Sequence, residues 1–213
     1  MREILPMMLI CYLIGSVPTA IWTAKLLRGI DIRDHGSGNA GATNSFRVLG
    51  WKAGVFVLVV DMAKGWIACL LVAPVFGLAS STSMVYWMIL AGLSAIVGHV
   101  WTIFAGFRGG KGVGTAAGMF LAIFPVEAAI CFAVFMAVLL ITGYSSMGSL
   151  AAAVALPLTL LAGKWLWHHP LPPEILGLSL LLTTFVFFTH RSNIRDLLRG
   201  DERRLIPKRG KAV

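Results

Sequence analysis

Charge is scarce in this chain: Asp, Glu, Lys and Arg make up 13% of its 213 residues. Soluble domains carry about 25% charged and roughly 45–50% apolar residues, whereas here the hydrophobic share is 58%. So short a chain cannot bury that much apolar surface in one aqueous core, which excludes an ordinary cytosolic enzyme, and disorder with it. The excess needs lipid as its solvent. Cysteine is equally sparse. Cys11, Cys69 and Cys131 lie far apart in apolar stretches, which speaks for small buried hydrophobes and against a disulfide framework or zinc knuckle. Acids are the rarest class of charge, nine against 18 Lys and Arg, for a formal +9.

What the chain has in abundance is long apolar runs. A bilayer core about 30 Å thick takes roughly 17–25 helical residues to cross. Residues 4–24, 53–73, 84–107, 147–163 and 174–189 fit that length. The stretch 113–142 would reach about 45 Å as one helix, which is too long. Pro125 and Glu127 break it into shorter helices over 113–124 and 127–142. The expectation is one polytopic all-α membrane domain, 1–213, of seven spans, with the N-terminus outside and a basic cytoplasmic tail over 190–213.

The basic residues test that count. With seven spans, 15 of the 18 bases fall on one side, as the positive-inside bias requires. They flank the first link (Lys25, Arg28, Arg33, Arg47, Lys52), occupy the third (Arg108, Lys111) and fill the tail. Fusing 113–142 into one helix would split them. Residues 4–15 also resemble the apolar stretch of a signal peptide, but cleavage there would put the basic segment 25–52 outside. Asp61 and Lys64, three residues apart within a span, are expected to pair structurally rather than relay protons. His99 reads as a satisfied core histidine.

Four polar, glycine-rich segments fall on the cytoplasmic side by the same parity. The first, Gly36-Ser-Gly-Asn-Ala-Gly41, spells G-x-G-x-x-G, but no βαβ unit surrounds it and a dinucleotide fingerprint is rejected. Its types fit either a flexible polar turn or an anion nest of backbone N–H groups, with Ser37, Gly38, Asn39, Thr43 and Asn44 as neutral partners and Arg47 as a phosphate fork. The second, Arg108-Gly-Gly-Lys-Gly112, lacks Walker A spacing. Gly109, Gly110 and Lys111 at a helix start suit an anion, while Gly110, Gly114 and Gly118 equally form a small-residue packing ridge. The third runs from His190 to Glu202, where His190 and Asn193 share a helical face and Arg191, Arg195 and Arg199 share the opposite one, suited to anionic headgroups. The fourth is Tyr144-Ser-Ser-Met-Gly-Ser149, with Ser145 and Ser146 both available. Asp31, Asp34 and His35 have no specific metal spacing, and no metal is expected.

Taken in order, Gly15-Ser16, G-S-G-N-x-G-A-T-N at 36–44 with Arg47, G-H at 98–99, F-x-G-G-K-G at 107–112, Y-x-S at 144–146, H-R-x-N-I at 190–194 and G-x-E at 200–202 resemble the bacterial membrane acyl-phosphate:glycerol-3-phosphate acyltransferases. The resemblance covers almost the whole chain. It implies transfer of a fatty acyl group from acyl phosphate to the sn-1 hydroxyl of glycerol 3-phosphate. The products would be lysophosphatidic acid and phosphate, formed at the cytoplasmic face of the bacterial inner membrane. It further implies seven spans, membrane lipids as surroundings, no cofactor, and a functional link to the soluble enzyme that makes acyl phosphate. By motif position, Lys111, His190, Asn193 and Ser146 are the expected catalytic residues. Ser37, Gly38, Asn39, Thr43, Asn44, Arg47, Gly109, Gly110 and Lys111 are expected to hold substrate phosphate. Val100-Trp-Thr102 and Gly114 depart from the family's usual proline and alanine.

Acyl phosphate is already activated, so positioning and charge stabilisation suffice in principle. The expected step is direct attack of the acceptor hydroxyl, with the leaving phosphate, or secondarily His190, taking the proton. No cysteine lies in the four segments and no G-x-S-x-G elbow occurs. The acid–base H-x-x-x-x-D motif of other glycerolipid acyltransferases is missing as well, since the similar His169–Glu174 spacing falls outside by parity. An organic-phosphate transporter or channel is the competing class. It is disfavoured because the polar segments gather at one face. Nucleic acid is not an expected partner.

Overall fold

A computed structural model describes residues 3–78, 80, 82–166 and 171–206. Arg2, Lys208, Arg209 and Lys211, counted among the bases above, and His169 and Pro170 lie outside them. Every regular element among the described residues is a helix, without strands. They cluster as two compact units, Met1–Phe124 and Pro125–Val213.

In the first unit, α1 (Ile4–Ser16) and α2 (Thr19–Arg28) form one broken run. The break falls at Val17-Pro18, where proline removes a backbone donor. A short amphipathic α3 (Ala42–Leu49) precedes α4 (Trp51–Ile67), which continues through a π-helical stretch, Ala68–Val72, into α5 (Ala73–Gly77). After α6 (Met84–Val100) comes a looped segment, then α7 (Val113–Ile123). In the second unit, α8 (Pro125–Thr142) lies along α9 (Ser145–Leu166), followed by α10 (Pro173–Thr189) and α11 (Arg191–Arg199).

Among the described residues, five helical stretches are long and apolar enough to cross a bilayer: Ile4–Arg28, Trp51–Gly77, Met84–Ala105, Pro125–Thr142 and Ser145–Leu166. A sixth arises if α10 and α11, bent by 58°, count as one. All seven expected segments are helices, but α7 has only 11 residues. At about 1.5 Å per residue it covers roughly half the hydrocarbon thickness. The break before α8 falls where expected: Phe124, with φ −135° and ψ 71°, has left the helical region, as the residue before a proline is biased to do.

Lipid-facing surface is plain from exposure. Leu5, Val75, Ile141 and Leu181 stand outward at 63–82% exposure. Helices that are apolar all round are what such surroundings require. Inside the first unit, Met7, Cys11, Ala68, Ala73, Trp87, Ala91 and Ala95 form one core. Small residues let α1 and α6 touch: a β-carbon at Gly15 would strike the Ala95 carbonyl, and one at Gly98 the Tyr12 carbonyl. Such contact is how helices associate where lipid removes the hydrophobic drive. The three cysteines are free thiols.

Candidate functional site

Two expected segments meet within the first unit. The loop after α2 turns through a short 3-10 helix, Ile32–Asp34, and runs through Gly36–Gly41 into α3. Asn44 is fully buried and holds this loop together. Its Nδ2 donates to the carbonyls of Ile32 (3.1 Å) and His35 (2.9 Å), and its Oδ1 accepts from the Ser37 N–H at 2.9 Å. Glycine is required at position 36, where φ is +63° and a β-carbon would strike Asn44 Oδ1. Asn44 therefore braces the loop, and Ser37, exposed, is presented at its surface.

The second segment is folded back on the end of α6. Gly109 N–H donates to the Val100 carbonyl at 3.0 Å and Gly110 N–H to that of His99 at 3.2 Å. A β-carbon at Gly110 would fall on His99 Nε2 and come within 2.9 Å of the Ala40 carbonyl. Gly110 thus fills the space between the histidine and the first loop, and Lys111, half-buried, follows directly. Gly114 and Gly118 do line α4, packing on Asp61 and Met62. Gly110 lies before α7 begins, so the expected three-glycine ridge has two members.

Four of the backbone donors in these two segments are already bonded within the protein. The N–H groups of Ser37, Gly38, Gly109 and Gly110 all donate to protein atoms, that of Gly38 to the His35 carbonyl at 3.1 Å. The glycines serve close approach and turning. Donors suited to an anion are the side chains of Ser37, Asn39, Thr43, Arg47 and Lys111, with the first turn of α3, whose leading N–H groups have no intrahelical acceptor.

Beneath this surface sits a buried polar cluster. Lys64 Nζ lies 2.6 Å from Asp61 Oδ1 and 2.6 Å from the Val17 carbonyl at the α1–α2 break. The expected structural pair is therefore present. His99 Nδ1 is 3.6 Å from the same carboxylate oxygen, so the histidine read as a core residue lies between this pair and Gly110. Near the loop surface, Asp31 and Arg33 form a second ion pair at 2.6 Å. The Arg33 guanidinium, by its hydrogen bonds, holds the Asp31 carboxyl down at about 2. The same carboxylate holds Arg33 above its ordinary value.

The second unit carries the other expected residues. Ser146 is buried, and its hydroxyl has no hydrogen-bond partner among the described residues. Ser149 Oγ donates to the Ser145 carbonyl at 3.0 Å. His190 is buried where α10 bends into α11. Its Nδ1 lies 2.9 Å from the Val186 carbonyl; a carbonyl can only accept, so Nδ1 carries the hydrogen and the neutral ring's basic lone pair is on Nε2. Asn193 Nδ2 donates to both Glu202 carboxylate oxygens, at 2.7 and 2.9 Å. Glu202 reaches it because the chain doubles back after Gly200, with Asp201 and Glu202 N–H groups donating to the Asp196 carbonyl. The tail then returns to Gly143 and Tyr144, whose ring lies 4.7 Å from the Arg204 guanidinium. Arg191, Arg195 and Arg199 are exposed, opposite to His190, as the helical spacing predicts. Sequence reasoning took Arg33 only as a topogenic base and Glu202 only as part of a motif. The i,i+2 Asp-x-Arg spacing in a loop was the available signal for Arg33.

Residues 5–200 match the family model described as glycerol-3-phosphate acyltransferase. A glycerol-3-phosphate acyltransferase of Chlorobaculum parvum is 42% identical over 96% of this chain and 97% of its own length. One from Salinibacter ruber is 46% identical over 92% and 89%. Among solved structures, PlsY (YgiH), an integral membrane glycerol 3-phosphate acyltransferase, superposes in its glycerol 3-phosphate form with a TM-score of 0.82 at 36% identity, covering 94% of each chain. Its lysophosphatidic acid form gives 0.80 at 35% identity with the same coverage.

Proposed function

The chain belongs to the glycerol-3-phosphate acyltransferase family, and on that premise we propose that it moves a fatty acyl group from acyl phosphate to the sn-1 hydroxyl of glycerol 3-phosphate. The observation that carries the reading is the meeting of the Ser37–Arg47 and Gly109–Lys111 segments in the first unit, with Gly110 against Ala40. Those two segments carry two cationic side chains, Arg47 and Lys111, and several hydroxyl and amide groups, beside an apolar body. Both substrates bring phosphate, and holding them beside low-dielectric surroundings demands such cations. The family relative in its glycerol 3-phosphate and lysophosphatidic acid forms supports the acceptor and the product.

The acceptor hydroxyl attacks the acyl carbonyl directly. The C–O bond to phosphate breaks, and the leaving phosphate takes the hydroxyl proton. Arg47 and Lys111 neutralise charge as it shifts onto that leaving group. Ser37, Gly38, Asn39, Thr43, Gly109 and Gly110 shape the phosphate pocket, with Asn44 holding the loop. Ser146, His190 and Asn193 serve the same reaction by their place in the family's motifs. The Nδ1 hydrogen bond of His190 suits its Nε2 to accept a proton in a secondary route. We place the protein in the bacterial inner membrane as a single seven-span domain. Its N-terminus is outside, and the reaction proceeds at the cytoplasmic face beside the enzyme that supplies acyl phosphate.

Detergent-purified protein, palmitoyl phosphate and glycerol 3-phosphate test this together. Phosphate should appear in step with lysophosphatidic acid, with no sealed compartment present. Activity that requires vesicles would favour a transporter instead. A trapped acyl-protein formed from radiolabelled donor without acceptor would sink the direct attack.

A further inference from the structure

Arg33 lies in the loop between α2 and α3, and its side chain is 22% exposed. Asp31 occupies one edge of its guanidinium: Oδ1 accepts from Nε at 3.0 Å and Oδ2 from Nη2 at 2.6 Å. The same carboxylate accepts from the Arg33 backbone N–H at 2.9 Å. The plane of the fork is thereby set. Its remaining nitrogen, Nη1, points across to the other segment. It donates to the Ala105 carbonyl at 2.8 Å and reaches that of Arg108 at 3.5 Å.

Those two carbonyls flank a sharp reversal. Gly106 and Phe107 both have left-handed backbones, with φ of 63° and 59°. Phenylalanine pays a steric penalty there and persists only where its surroundings over-determine the turn. The near end of this turn is tethered to α1, by Tyr12 Oη donating to the Trp101 carbonyl at 2.7 Å and Thr102 Oγ1 to that of Ser16. Arg33 holds its far end, immediately before Gly109, Gly110 and Lys111.

We propose that Arg33, oriented by Asp31, is a positioning residue for acyl transfer. It straps the 105–108 turn to the first loop and so sets where Lys111 stands relative to Ser37 and Arg47. The inference rests on Lys111 holding substrate phosphate. Lysine at position 33 would keep the charge but lose the planar fork that bonds in two directions at once.

The test uses the full chain in detergent, with steady-state kinetics and amide hydrogen exchange on wild type, Arg33→Lys, Asp31→Asn and the double variant. Arg33→Lys should lower kcat/KM by about ten-fold, with kcat carrying most of the fall and KM for glycerol 3-phosphate changed by less than about three-fold, because Lys111 neutralises charge that reaches the leaving phosphate only in the transition state. Exchange at residues 105–111 should rise while that of α6 stays at the wild-type level. Asp31→Asn should act in the same direction. The double variant should fall short of the product of the two single effects, since both remove one shared contact. Wild-type kcat or wild-type exchange at 105–111 in Arg33→Lys overturns the proposal. So does exchange that rises equally along α6, which makes Arg33 a general fold residue. Should Arg33→Lys fail to fold, Asp31→Asn carries the same readings. A wild-type protein that transfers no acyl group would refute the proposed function, while the exchange result would still report on the strap.

Discussion

Replacing Lys64 by Met should destabilise this protein severely, and a second replacement should undo most of the damage. Lys64 and Asp61 are 4% and 5% exposed, 2.6 Å apart, inside an apolar helix. Removing the ammonium leaves a buried carboxylate whose nearest other polar side chain, the His99 ring, is at 3.6 Å, beyond hydrogen-bond reach. Breaking a buried pair in this way costs about 3–5 kcal/mol. The Val17 carbonyl also loses a donor, but it keeps the Thr19 N–H at 2.9 Å, so that share is small. Asp61→Asn on top of Lys64→Met removes the uncompensated charge and leaves an imperfectly bonded amide, costing about 1–3 kcal/mol in all. The pair should therefore show a coupling of about 2 kcal/mol or more. Equilibrium unfolding of the purified variants measures it, and phosphate release at each step separates stability from chemistry. A double variant as unstable as Lys64→Met refutes the electrostatic reasoning. One that folds well yet transfers nothing shows that the pair moves protons, against the structural role assigned to it.

Three further outcomes follow from the site. Lys111→Ala should abolish nearly all phosphate release while the unfolding transition stays near wild type; half of the wild-type turnover would contradict its role. Gly110→Ala should lose about a hundred-fold in kcat/KM, because its methyl group must displace His99 or the Ala40 carbonyl; equal kinetics would show that the two segments yield freely. Asp31, held at about 2, adds stability that is complete above the ordinary carboxylate value and fades as the pH falls from about 4 toward 2. A carboxyl NMR titration of Asp31 with its midpoint at the ordinary value would reject the Arg33 contact as drawn.

How far the sequence could be read follows from what each feature depends on. Span positions were legible because lipid leaves a helix no choice but to be apolar over a set length. The Asp61–Lys64 pair was legible because i,i+3 geometry and the cost of a lone membrane charge leave little else. The meeting of the Ser37–Arg47 and Gly109–Lys111 segments in the first unit was hinted at only by motif order. Which amides of the two loops stay available was not legible, since whether Gly109 or Gly110 has its N–H free depends on the α6 carbonyls folded against it. That α7 is only half a span long was legible, since the stretch 113–124, closed by the break at Pro125, is already that short.

Composition, periodicity and charge placement by themselves determined an all-helical membrane protein, and motif order pointed to acyl transfer onto glycerol 3-phosphate. They act through local rules: backbone satisfaction in lipid, and the cost of charge within an apolar span. Tertiary structure decided that Gly110 abuts both His99 and Ala40, that Asn44 braces the loop, that Glu202 takes Asn193, and that Arg33 reaches from Asp31 to the Ala105 carbonyl. These contacts join residues from seven to 72 positions apart. No local rule reaches that far, because only packing brings a distant carbonyl within hydrogen-bond range.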